Sequence, residues 1–217
     1  DTDTYTDPDC VLHVDGAQGE DSQNGLSWSE AKASIQAAID SAVGMGCATW
    51  QVWVTAGTYY PASASDRNLS RIKMRTGVHL YGGFLGNENS IEQRDWVLNE
   101  TIISGNLGAP DNLGDNACHV VIGAEGAVLD GFTVRDGYAI GCDYEYGAGL
   151  FGGEASHCRI TGNTAKSGGG MYYGTAIDCT FDSNTATQNG GGMYYGIATN
   201  CAFHNNTALG DGGGKHT

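Results

Sequence analysis

The sequence is short of most residues that partner-binding and catalytic classes need. Of 217 residues only 3 are proline and 10 are lysine or arginine, against 25 aspartate or glutamate, giving a formal net charge of −15. An acidic chain with so few cations repels a phosphate backbone, so no nucleic-acid partner is expected. A basic amphipathic helix for a membrane surface is also missing. No apolar run approaches the roughly 18 residues of a transmembrane helix, so no membrane span is expected. No two cysteines have the CxxC spacing of a zinc site. Glycine lacks the three-residue period of collagen.

Glycine itself is abundant, 35 residues, roughly twice the usual share. Hydrophobic residues make up 40%, enough for one sizeable core. Seven cysteines in an acidic, glycine-rich chain suit an oxidising, extracellular setting. The odd number leaves at least one thiol unpaired in a monomer. The chain starts at Asp1 without Met, as expected of a mature product that has lost its leader or of a fragment.

The last third repeats. GAGLFGGEASHCRITGNTAKS from Gly147, GGGMYYGTAIDCTFDSNTATQN from Gly168 and GGGMYYGIATNCAFHNNTALGD from Gly190 align, and a fourth unit begins at Gly212. Their starts lie 21, 22 and 22 residues apart. Equivalent positions form columns: Cys158, Cys179, Cys201; Ile160, Phe181, Phe203; Asn163, Asn184, Asn206; Thr164, Thr185, Thr207. Within a unit, Cys-x-[Ile/Phe] alternates with polar residues at the two-residue period of a strand with one buried face. The GGG and NTA clusters are turn chemistry. Short strands joined by tight turns, each unit stacked on the last, predict an all-β, right-handed parallel β-helix, a solenoid with coils of about 22 residues. Stacked strands place like residues about 4.8 Å apart. Cysteine, isoleucine and phenylalanine then form inward ladders, and the asparagines a corner ladder.

The pattern degenerates towards the N-terminus but persists. VLDGFTVRDG fits the register with Phe132 over Cys158 and Val134 over Ile160. HVVIG, TIISG, VHLYGGF and QVWVTAGTYY are further glycine-closed strands. One helix is expected at about 28–43, with Ser27 and Glu30 at capping-box spacing and Ala31, Ile35, Ala38, Ile39 and Ala42 on its apolar face. It would cap the solenoid. The expected organisation is thus an extended arm at 1–12, a cap region at 13–50 and the β-helix at 51–217, regular from 147. The chain stops just inside a new coil, and the arm alternates Thr or Tyr with Asp as an edge strand does. End-to-end stacking of copies through residues 1–9 and that coil is therefore expected, building fibres.

NGLSWSEAKASIQAAIDSA, VTAGTYYP, LYGGFLGNENSIEQRDW, TIISGN, NACHVV, VLDGFTVRDG and the GG[GA][LM] and FDSN/FHNN repeats together resemble secreted bacterial right-handed parallel β-helix proteins with polymorphic outer-membrane-protein-type repeats. The resemblance runs from about His13 to the end. It implies the fold and a secreted or cell-surface location, and leaves function open, because that group hosts adhesins, passengers and sugar-active enzymes.

The leading expectation for function is a non-enzymatic extracellular scaffold or adhesin. The alternatives are a carbohydrate-binding surface protein and a polysaccharide lyase or hydrolase on the same fold. Phe151, Tyr172 and Tyr194, flanked by Tyr173 and Tyr195, form an outward aromatic column suited to stacking on glycan rings or on a neighbouring subunit. No cofactor is required, but Asp130, Asp136, Asp143 and Glu145 are candidate calcium ligands. Catalytic residues are not apparent, since the repeats carry no carboxylate column. Arg71-Ile72-Lys73 resembles a polygalacturonase tripeptide but lacks the aspartate pairs that accompany it. Cys10 and Cys47 bracket the helix and form the preferred disulfide, with Cys118 and Cys142 as a second pair, while His13, His79 and His119 stand alone as structural residues.

Overall fold

The computed structural model describes residues 10–43, 45–61, 66–109 and 111–216. The arm at 1–9, and any stacking through it, lies outside the described residues. Almost every element is a strand, and every strand pairing among the described residues is parallel. The strands form three curled sheets of eleven, six and three strands, in a solenoid-like arrangement.

The repeat columns set the register. Ile160 pairs with Phe181 and Phe181 with Phe203, so residues 21 or 22 apart stand one above another, and Val134, 26 residues back, takes the same place beneath Ile160. Leu150, Met171 and Met193 point inward from the long sheet and are fully buried. Phe181 and Phe203 stack with centroids 4.8 Å apart and planes 5° from parallel. The cysteine column faces the same core: Cys158, Cys179 and Cys201 are free thiols, each with its sulfur on a backbone carbonyl. Burial pushes the Cys158 thiol well above its ordinary range, which keeps it protonated.

The asparagines line the interior behind the glycine triplets. Asn163 Nδ2 donates to Asn184 Oδ1 at 3.1 Å and Asn184 Nδ2 to Asn206 Oδ1 at 3.0 Å. Each Oδ1 also accepts a backbone N–H from the unit before, as Asn163 Oδ1 does from Gly137 at 2.9 Å. The fully buried amides of Asn163 and Asn184 are thus paired on both sides, as the interior demands. This explains the triplets. The first glycine is left-handed in every unit (φ 61 to 68°), and a Cβ on the third, at Gly170, would meet Asn184 Cγ at 3.1 Å.

The first part of the chain departs from the expected boundaries. The long sheet already begins with Val11–Val14, which pairs with Trp50–Thr55, so the sheet starts well before residue 51. The α-helix is Ile35–Ala42, shorter than the expected 28–43. Trp28–Glu30 is a separate 3-10 turn, Ser27 makes no side-chain cap, and Glu30 accepts from Asn24 instead. The break has a local cause. Lys32 bridges to Val14 in parallel and its Nζ donates to Asp21 O and Gln23 O, pulling the chain into extended form. Ser34 then caps the helix by accepting from Ala37 N. Ile35, Ala38, Ile39 and Ala42 bury against Leu12, Val14, Trp50 and Val52. Disulfides join Cys10 to Cys47 and Cys118 to Cys142.

Candidate functional site

The alternation that turns Leu150, Met171 and Met193 inward turns Phe151, Tyr172 and Tyr194 outward. Register pairs these three directly, with ring centroids 5.4 and 5.8 Å apart. His216 continues the row, 5.4 Å from Tyr194, and Tyr146 flanks it, 5.0 Å from Tyr172. His216 was legible in the sequence, since it follows Gly212 by the offset that separates Tyr194 from Gly190. Tyr146 was not, because it stands outside the repeat columns.

Beside this row project two strained tyrosines. Tyr173 and Tyr195 have φ of 56° and 48° and are 70% and 47% exposed, whereas the unit before them carries Gly152 at φ 72°. The other left-handed corners hold residues that tolerate the conformation, such as His157, Asp178 and Asn200. A bulky side chain there costs of order 1–2 kcal/mol. Tyr195 recovers part of it by packing 4.3 Å from Tyr194, and its hydrogen bond holds the Tyr194 phenol above the ordinary range. Tyr173 makes no ring contact among the described residues and stands mostly in solvent.

At the head of the row lies a cavity of about 470 Å³. His119, Ile122 and Phe151 form its floor, with the His119 ring edge-on to Phe151 at 5.4 Å. One wall is Asp66–Arg71, the other Asp143 and Tyr144. Arg67 ties these walls together, donating to Tyr138 O at 3.0 Å and Ile140 O at 2.6 Å. Asn68 Oδ1 accepts from Asp143 N at 3.1 Å, and the Cys118–Cys142 bond pins the same loop. Burial, with the nearby Arg71 charge, holds His119 below its ordinary range while its Nδ1 meets Gly147 O. His13 and His79 are also held low, chiefly by burial.

A second cleft, of about 480 Å³, opens between the 94–100 segment and the six-stranded sheet. Trp96 packs 4.8 Å from His157, whose Nδ1 lies 3.3 Å from Asp130 and whose Nε2 lies 4.0 Å from Asp178. Arg94 claims Asp130 at 2.7 Å, its guanidinium lying over Tyr81 and Trp96.

The four candidate calcium ligands are not brought together. Asp130 sits in that Arg94 pair, Asp136 accepts from Ser104 Oγ, Glu145 pairs with Lys166 and accepts from Gly141 N, and Asp143 borders the first cavity. Nearness in sequence misled, because a left-handed corner at Asp136 and the 138–146 loop send these carboxylates to different partners. Among the described residues no group of three or more His, Cys, Asp or Glu is placed to hold a metal ion. Within Arg71-Ile72-Lys73, Ile72 is a core residue, and Lys73 shares the register position of Phe151 through Ile122. No helix is long and apolar enough to cross a membrane among the described residues.

Comparison with protein-family models, with characterised proteins and with solved structures finds no match.

Proposed function

We propose that the chain is a right-handed parallel β-helix of the secreted bacterial kind, its helix closing the first turn, and that it serves as a non-enzymatic extracellular scaffold whose aromatic face binds carbohydrate. The supporting observation is the placement of Tyr173 and Tyr195 in left-handed corners, largely exposed, beside the row Phe151, Tyr172, Tyr194. A self-stabilising ladder accounts for the row. It does not account for strained tyrosines where the same corner tolerates glycine, and strain of this kind persists where a site needs the side chain.

Aromatic rings one strand spacing apart suit glycan recognition. The row's rings cover one another's faces and present their edges. Tyr173, without a ring contact among the described residues, leaves its face open to the apolar face of a pyranose, and the rigid parallel sheet holds both in place before binding. The charge of −15 favours neutral glycans over polyuronates. Screening the purified protein on a glycan array, then titrating the hits against Tyr172→Ala and Tyr194→Ala, tests the reading. Each variant should weaken binding about tenfold or more while the circular dichroism spectrum stays that of the wild type. Hits indifferent to both substitutions would refute it.

A further inference from the structure

The aromatic row has an end. Past Phe151 the same register position holds Ile122 and then Lys73, neither of which offers a ring, and at that point the surface sinks into the cavity between Asp66–Arg71 and Tyr144. We propose that this cavity is the subsite for the terminal residue of the glycan, a pyranose without a carboxylate, with the following residues lying along the tyrosines. The inference rests on the carbohydrate reading of the face and adds where the sugar chain ends and what its last unit is.

Four features point this way. The volume, about 470 Å³, lies in the range of small-molecule sites. Phe151 belongs both to the cavity floor and to the row, so one ligand can occupy both without a gap. The rim mixes acceptors and donors, as a ring of hydroxyls requires: the Asp143 carboxylate, which has no hydrogen-bond partner among the described residues, the Asp66 carboxylate, and the Arg71 guanidinium. Asp66 and Asp143 border the opening beside Arg71, and in a chain of net charge −15 a uronate or sialic acid is disfavoured there by the surrounding field.

The walls are also fixed before any ligand arrives. The Cys118–Cys142 bond, the Arg67 contacts to two carbonyls and the Asn68–Asp143 hydrogen bond lock two loops from distant parts of the chain around an open space. Loops locked in this way add little to the core. They spare a ligand the entropy of ordering its own site.

The test uses the whole chain and three oligosaccharide series of two to six units: cello-, chito- and galacturono-oligosaccharides. Each is titrated unlabelled and with a bulky fluorophore at the reducing end, the non-reducing end or both. The proteins are wild type, Asp143→Ala, Arg71→Ala and Tyr194→Ala, each checked by thermal melt. One neutral series should bind, and Asp143→Ala and Arg71→Ala should each weaken it about tenfold. Blocking both ends should weaken wild-type binding by a similar factor, and the galacturonate series should not bind. If Tyr194→Ala weakens binding while the cavity variants and doubly blocked ligands behave as wild type with unlabelled sugar, the face binds glycan but the cavity does not hold its end. Preferential binding of the galacturonate series would overturn the assigned sugar class. If no series binds, the carbohydrate reading falls with the inference.

Discussion

Residues 147–216 and residues 10–146 solve one folding problem in two ways. In the later region several columns stack like on like: phenylalanine on phenylalanine, asparagine amide to asparagine amide, threonine beside threonine. No disulfide lies there, and all three free cysteines do. The earlier region has few such ladders. Segments such as 85–100 and 138–146 interrupt the stacking, and both disulfides, the helix and the Arg67 and Arg94 clamps fasten it. Regular stacking supplies stability from repetition alone. Interruption gives that up and yields concave surface, so both cavities draw walls from interrupting segments while their floors come from the sheets.

Reduction should separate the regions most sharply. Loops closed across sequence separations of 37 and 24 residues contribute about 3–4 kcal/mol each by chain entropy. A reductant should therefore raise amide hydrogen exchange throughout 10–146 and leave 147–216 protected; uniform loosening would mean the two regions unfold as one. Asn184→Ala reverses the pattern. It leaves the Asn163 N–H without its acceptor, at about 1–3 kcal/mol for the unpaired group, while Asn163 Nδ2 keeps Val134 O and Thr161 O, and exchange should rise in the repeats alone.

Acid should again weaken the earlier region. His13, His79 and His119 all titrate below their ordinary value of 6.5 in the folded chain. The unfolded chain takes up their protons first, so their contribution is complete above pH 6.5 and is lost as pH falls towards the folded values. Denaturant melts at stepwise lower pH should show that loss, and His119→Gln should flatten the slope. An unchanged slope would mean that His119 titrates as an ordinary exposed histidine.

The two regions were not equally legible in the sequence. Where a column recurs at 21 or 22 residues, as Cys158, Cys179, Cys201 or Asn163, Asn184, Asn206, spacing alone predicts which residues stack, and the observed pairings follow it. Phe132 and Val134 were still within reach, because VLDGFTVRDG keeps the register. Beyond that, local signals compete with tertiary ones. Ser27 and Glu30 had capping-box spacing, yet the Val14–Lys32 bridge ended that turn and moved the helix to Ser34. The cavity was unreadable, since Asn68 and Asp143 share no column and meet only through a disulfide-pinned loop. The strain at Tyr173 and Tyr195 was partly visible: Gly152 holds the equivalent position one unit earlier.

The central claim is that the exposed tyrosines serve recognition at the expense of stability, and the double variant Tyr173→Gly, Tyr195→Gly tests it most directly. Thermal denaturation and glycan titration on the same samples should move in opposite directions. Relief of two left-handed tyrosines should leave stability unchanged or raise it by at most about 1 kcal/mol per site, with the melting temperature following, while affinity falls about tenfold. A variant that melts lower and binds glycan as tightly as the wild type would contradict the account, and would make the tyrosine face a structural ladder.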